Sequence, residues 1–388
     1  MAGVRRFAVG TEVKVDLFVR NLPFLATAED VRSAFARVCD VRSVSVALDR
    51  EGKPRGCALV IVGTRETAVV LREMDGSVMA GRLISVDVAS PAEKAVAHKA
   101  AVAVAVALNK QLVAADTAAD VVALFEARGG DFNHVNLATS LHRLGALSRS
   151  CGVVSVPLVH GLAARATSRI IEDPTPWEPR HLANACWGMA KINVEAPALF
   201  EAVAAAAIKK MATFTSQELA NLVWAFSRAR VSAPVLFEAA ALESSKQISK
   251  FNSQALANAV WAYSSSGVYA PSLFKAVSEA ALPKVSYFTA QELTLTVWAF
   301  TKAGFEAPDL FEAIALEAPR KIHAFTPQAL ANTVWAFSKT GHSASKRILF
   351  EAIAGRAPDC VQDFTTHALV NVVWAYATAG VEAPYLFE

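Results

Sequence analysis

"QALANTVWAFSKTG", residues 328–341, is one line of a refrain. Other copies read "QELANLVWAFSRAR" (217–230), "QALANAVWAYSSSG" (254–267) and "QELTLTVWAFTKAG" (291–304). Trp187, Trp224, Trp261, Trp298 and Trp335 stand 37 residues apart, and Trp374 follows after 39, the two extra residues lying in "GHSASKRILF" (341–350). A period of this length predicts helical hairpins stacked into an α-solenoid, because one hairpin alone cannot bury its apolar face. "FNHVNLATSLHRLG" (132–145) aligns as a degenerate earlier copy with His142 in the tryptophan slot.

The punctuation of each unit agrees. Phe214, Phe251, Phe288, Phe325 and Phe364 precede Thr215, Asn252, Thr289, Thr326 and Thr365, all residue types that cap helix N-termini. Leu219, Leu256, Leu293, Leu330 and Leu369 come five residues after each Phe, the spacing of a hydrophobic staple. Glu218 and Glu292 complete capping boxes, and Pro327 takes a first helical position. The first clear copy departs, with Trp177 and Glu178 at staple and cap. A break follows, often at glycine (Gly267, Gly304, Gly341, Gly380), and Ala-Pro then opens the second helix at Pro197, Pro234, Pro271, Pro308 and Pro384. Basic clusters close the second helices (Lys209-Lys210, Lys246 with Lys250, Lys284, Arg320-Lys321), where they suit the helix dipole.

On a helical wheel Leu330, Val334 and Phe337 share the core side, while Gln328, Asn332, Trp335 and Lys339 fall in a stripe about 60° wide opposite them. An amide, an aromatic and a cation repeated along one face can hold single-stranded RNA, amides and arginines reading base edges and cations meeting phosphates. A tryptophan present in every unit carries little sequence information. Trp187, Trp224, Trp261, Trp298, Trp335 and Trp374 are therefore assigned to packing between repeats, and the asparagines to hydrogen bonds between repeats. The varying positions are the candidate RNA contacts: Arg180, Gln217, Gln254, Gln291, Gln328 and His367, with Lys191, Arg228, Lys302 and Lys339.

The N-terminal ninety residues have a different rhythm. "VDLFVRNLPF" (15–24) begins with apolar alternation, Thr27 and Asp30 form a capping pair, and "AEDVRSAFARV" (28–38) has helical spacing. Strand patterns follow at 41–48, 57–63 and 83–89, with a helix at about 65–74. This βαββαβ order predicts a ferredoxin-like sheet with two helices on one face. Leu17-Phe18-Val19-Arg20-Asn21-Leu22 and "GRLISVDVA" (81–89) resemble the first and last strands of the RNA recognition motif over about residues 15–90. The third strand departs from that family. Where the signature has two aromatics, "RGCALVIV" (55–62) has Cys57 and Leu59, which share a sheet face with Phe18. Phe18 is left as one stacking platform, with Arg20, Asn21, Lys53, Arg55 and Leu59 completing the candidate surface. Two readings stay open for it: RNA, or a protein partner docked on the sheet.

The phrase "LANxxWAF" resembles the octotricopeptide, FAST-kinase-like and kinetoplastid RNA-editing substrate-binding complex repeat families over about residues 175–388. The resemblance implies RNA binding in mitochondria or chloroplasts, serving transcript processing, stability or translation. Relatives often end in a RAP domain; none is seen here, and "APYLFE" (383–388) stops inside a second helix, as a truncated final repeat would.

Composition narrows the alternatives. Of 388 residues, 54% are hydrophobic and 19% charged, which excludes extensive disorder, and the net charge of +3 permits nucleic-acid binding without announcing it. The five cysteines are scattered without a C-x-x-C pair, so neither zinc nor a disulfide framework is expected. "AAVAVAVAL" (100–108) is too short to span a membrane, and the N-terminus carries no clear targeting peptide. No phosphate loop, zincin or nucleophile-elbow motif occurs, so no enzyme, cofactor or small-molecule substrate is expected. The expected organisation is an RNA recognition motif (1–91), an Ala/Val-rich helical linker (92–120) leading into the array, a degenerate repeat (121–173) and six repeats (174–388). The expected function is an RNA-binding adaptor whose partners are single-stranded RNA and ribonucleoprotein subunits, the alternative being a protein-interaction scaffold.

Overall fold

Alternating apolar residues build a small sheet at the start of the chain. In order come β1 (Lys14–Arg20), α1 (Ala28–Phe35), β2 (Ser43–Leu48), β3 (Pro54–Gly63), α2 (Thr64–Met74), a short hairpin of β4 (Val78–Met79) and β5 (Arg82–Leu83), and β6 (Ser85–Val88). The strands lie in the order β2-β3-β1-β6, with β1 antiparallel to both neighbours. Leu17, Val19, Ala58, Val60, Val62 and Val86 close a core with Val31 and Phe35 of α1 and Val70 and Met74 of α2. The opposite face carries Asp16, Phe18 and Arg20, paired with Ile61, Leu59 and Cys57. The hairpin escaped the sequence reading because two-residue strands are too short to alternate.

These coordinates are a computed structural model that describes residues 14–48, 54–148, 155–340 and 344–383. They form two compact units, one up to Leu137 and one from Ala138.

The Ala/Val-rich segment forms α3 (Pro91–Ala114), capped by Ser90 with Glu93 in a capping box, and α4 (Ala118–Arg128) follows. α3 packs on β2 and β3 of its own unit. Its first turn is pinned to β1 by Glu93–Arg20 at 2.5 Å and Lys94–Asp16 at 2.6 Å. Its apolar residues are spread around the helix with no single stripe, and the two ion pairs fix the position of its first turn.

The array consists of α5 (His134–Leu147) and α6 (Val156–Glu172), then α7 (Pro179–Ile192) with α8 (Pro197–Lys210), α9 (Ser216–Arg228) with α10 (Pro234–Lys246), and α11 (Ser253–Ser266) with α12 (Pro271–Ala281). It continues with α13 (Ala290–Ala303) and α14 (Pro308–Glu317), α15 (Pro327–Ser338) and α16 (Ala344–Arg356), and α17 (Thr366–Ala379). From α7 onward the odd-numbered helices pack side by side in one layer, and the even-numbered helices from α6 to α16 form a second. Edge-to-face rings join the second helix of each repeat to the first helix of the next: Phe200–Phe226, Phe237–Tyr263, Phe274–Phe300, Phe311–Phe337 and Phe350–Tyr376, all with centroids 4.9–5.1 Å apart. Each such pair adds about 0.5–1.5 kcal/mol to area burial.

The caps form as the spacing requires. Thr215 and Thr289 close capping boxes with Glu218 and Glu292, and Asn252, Thr326 and Thr365 each accept from a backbone N–H of the first turn. The basic ends of the second helices do something other than balance a dipole. Lys210 donates to the carbonyls of Pro174, Thr175 and Trp177; Lys284 to Ser249 and Phe251; Lys321 to Ser286 and Phe288. At the equivalent place Gln247 donates to the Phe214 carbonyl. Each tie thus closes one hairpin, from the end of its second helix to the backbone just before its own first helix.

Candidate nucleic-acid interface

On the odd-numbered helices the core positions are filled as the wheel requires: Leu330, Val334 and Phe337 are at most 1% exposed. The opposite side is open. Trp187, Trp224, Trp261, Trp298 and Trp335 are half-buried, and Trp374 is 41% exposed. The rings form a ladder that begins at His142, stacked on Trp187 at 4.9 Å, and continues through Trp187–Trp224 at 6.4 Å and Trp224–Trp261 at 6.2 Å. Burial lowers the pKa of His142, so it stands in the ladder as a neutral ring near pH 7.

The cations lie along this ladder. Lys191 is 5.8 Å from the centroids of both Trp187 and Trp224, Lys302 is 4.7 Å from Trp298, and Lys339 is 4.2 Å from Trp374. Arg228 is exposed at the same place in its helix. At exposed sites a cation over a ring is worth about 0.5–1 kcal/mol, too little to prevent the ammonium from turning toward a phosphate.

Arg180, Gln254, Gln291, Gln328 and His367 are exposed, and Gln217 is half-buried. Gln217 and Gln328 donate to Asn221 and Asn332 of their own helices at 3.0 and 2.9 Å, and His367 meets Asn371 at 3.3 Å. These asparagines therefore act within their helix, four residues from their partners, and not between repeats as expected. The amide contact that crosses repeats is made by the cap residue Asn252, which donates to Gln217 at 3.5 Å.

The sheet of the first unit departs further from expectation. Phe18 is only 7% exposed and Leu59 is half-buried, so this face presents no free stacking platform. α3 is the reason: it packs on β2 and β3, and its Glu93 and Lys94 bind Arg20 and Asp16 on either side of Phe18. Arg20 also binds Asp87 and lies 5.4 Å from the Phe18 ring, so it serves carboxylates rather than a phosphate. Hydrogen bonds from Ser90, and then from Arg20, hold the Glu93 carboxyl down at about 2. Asn21 donates to the Leu83 carbonyl at 2.8 Å and accepts from Arg82 at 2.7 Å, which ties the β1–α1 loop to the hairpin. Arg55 is exposed, and Lys53 lies outside the described residues.

Sequence reasoning missed Phe24 and Arg82, an exposed ring and a half-buried guanidinium that form a cation–π pair at 4.6 Å. It also missed the lysines that tie the repeats, because a lysine announces a donor but not which carbonyl it will find. Among the described residues no group of three or more His, Cys, Asp or Glu could hold a metal, and no helix is long and apolar enough to cross a membrane.

Comparison with known proteins fits both halves. Residues 167–383 match the family described as RNA-editing substrate-binding complex 6 protein, and residues 17–85 match the RNA recognition motif. Over 91 residues the chain is 37% identical to bovine (Bos taurus) cleavage stimulation factor subunit 2, a match covering 22% of this chain and 16% of that protein. Over 70 residues it is 34% identical to multiple RNA-binding domain-containing protein 1 of Neurospora crassa, covering 18% of this chain and 8% of that protein. Among solved structures, the N-terminal RNA-binding domain of a hypothetical protein aligns at 26% identity and a TM-score of 0.20, over 23% of this chain and 92% of that one.

Proposed function

The chain belongs to the family of RNA-editing substrate-binding complex 6 proteins, and from that premise we propose that it is a non-catalytic RNA-binding subunit of a ribonucleoprotein complex. Single-stranded RNA lies along the tryptophan ladder of the array, and the complex serves transcript processing in an organelle, the mitochondrion fitting the family best. The observation that carries this reading is the ladder itself. Half-buried rings on successive first helices, the first three 6.2–6.4 Å apart, combine a stacking surface with the cations Lys191, Arg228, Lys302 and Lys339. Gln254, Gln291 and Gln328 are exposed on the same stripe and supply edge-reading amides.

Replacing Lys191, Arg228, Lys302 and Lys339 together with Glu tests it. RNA affinity should fall by more than about tenfold and its salt dependence should flatten, since fewer counterions are released. Unchanged affinity and salt slope would sink the reading.

A further inference from the structure

With α3 over the sheet, the most exposed aromatic among the described residues of the first unit is Phe24, in the loop between β1 and α1, at 59% exposure. It is no stray surface residue. Leu22 N–H bonds the Gly56 carbonyl at 2.8 Å, which fixes the loop against the start of β3. Gly56 has φ +73, and a Cβ there would come 3.5 Å from the Phe24 ring and 3.2 Å from the Leu22 carbonyl, so the ring rests close to bare backbone. Arg82 from the hairpin lies 4.6 Å from the ring centroid, and its guanidinium is held from behind by Asn21, not by a carboxylate. Asn21 reaches the hairpin in turn through the Leu83 carbonyl. Its φ of +58 is a left-handed conformation that asparagine tolerates better than most side chains. Arg55 is exposed one residue before Gly56. Leu25 and Leu83, 90% and 62% exposed, flank the pair.

We propose that this edge, made of Phe24, Arg82 and Arg55, is the single-stranded RNA site of the first unit and takes the place of the sheet face. A base stacks at the Phe24–Arg82 pair, and the flanking phosphates meet Arg82 and Arg55. Charge selects the occupant. Arg82 is bonded to a neutral amide, whereas Arg20 on the sheet face is neutralised by Asp87 and Glu93. Of these two arginines, Arg82 at the edge is therefore the one an anionic strand finds without a carboxylate partner. The site deepens the RNA-binding reading above without depending on the tryptophan ladder.

The test uses the full chain, photo-crosslinked to a thiouridine-substituted single-stranded RNA, with crosslinked peptides mapped by mass spectrometry. Crosslinks within the first unit should fall on Asn21–Arg32 and on the hairpin. Phe24→Ala and Arg82→Ala should each cut their yield by at least about fivefold, the effect of losing one stacked base. Phe18→Leu should leave the yield unchanged. Phe24 is exposed, so its truncation spares the core; an unchanged melting temperature of Phe24→Ala confirms that the variant folds. Crosslinks confined to the array overturn this site and leave the ladder standing, and crosslinks nowhere overturn both. A yield that survives Phe24→Ala but falls with Phe18→Leu returns RNA to the sheet. Retained crosslinking in both variants, with loss of a bound protein subunit from Phe24→Ala, makes the edge a protein contact instead.

Discussion

Gly188 of α7 lies so close to Leu141 of α5 that a Cβ on the glycine would sit 1.9 Å from the Leu141 carbonyl oxygen. The later first helices carry alanine at this place (Ala225, Ala262, Ala299, Ala336, Ala375), so the degenerate repeat packs more tightly on its neighbour than the regular ones do. On the other side of the crossing a Cβ on Gly145 would meet the Gly188 Cα at 2.8 Å. Gly188→Ala should therefore destabilise the array by about 1–3 kcal/mol, as overpacking does. The control is Gly355→Ala in α16, where nothing lies within 4 Å and loss of unfolded-state freedom should stabilise by about 0.4–1 kcal/mol. Chemical denaturation of both variants checks the pair.

The lysine ties give a second expectation. Lys321 binds the Ser286 and Phe288 carbonyls and is ion-paired to the nearly buried Glu317 at 3.1 Å. Lys321→Met should cost about 1.5–3 kcal/mol, the range for hydrogen bonds to a charged group. Lys246 makes only an exposed pair with Glu243, and Lys246→Met should stay within about 0.5 kcal/mol of wild type. Equal effects at the two positions would dismiss the ties as incidental.

The tryptophans separate packing from display. Trp261 is half-buried with Trp224 6.2 Å away, while Trp374 is 41% exposed. Trp261→Ala should lower stability by about 2 kcal/mol or more, approaching the cost of a core aromatic, and Trp374→Ala by less than half of that. If both variants lose RNA affinity by a similar factor, the ligand role belongs to the whole ladder and the packing role to its interior.

The attachment of α3 has a defined pH range. Glu93 has its carboxyl lowered from an ordinary 4.5 to about 2, so its contribution is full above the unfolded value and is lost as pH falls through the folded one. Amide protection in the first turns of α3 should accordingly persist at about pH 4 and disappear only as pH approaches about 2. Glu93→Gln should lower that protection at neutral pH. Protection in Glu93→Gln equal to wild type would mean that Lys94 and apolar packing suffice to hold the helix.

The repeats were legible because the chain states the same arrangement several times. A Phe before each cap and a Leu five residues later leave little freedom in where a first helix begins, and the caps form where that spacing places them. The sheet was legible for a similar reason, since alternation puts Cys57 and Leu59 on one face with Phe18, and the strand register pairs Phe18 with Leu59 on that face. The cover over Phe18 was not. Nothing in "AAVAVAVAL" favours one face, and the deciding contacts, Glu93 to Arg20 and Lys94 to Asp16, join residues more than 70 positions apart. At the interface, exposure of Gln254, Gln291 and Gln328 agreed with the wheel, whereas the partners of Asn221 and Asn332 did not follow from it. A wheel gives a direction and leaves open which polar neighbour lies nearest.

One hairpin lacks its tie. Lys210, Gln247, Lys284 and Lys321 each close a hairpin, and the corresponding place in the α15–α16 hairpin is Cys360, whose thiol bonds the nearby Arg356 and Ala357 carbonyls. A row of hairpins latched in four places and unlatched in a fifth does not open evenly. The helices of the unlatched hairpin part most readily, and that hairpin carries Lys339, which lies 4.2 Å from the Trp374 ring of α17.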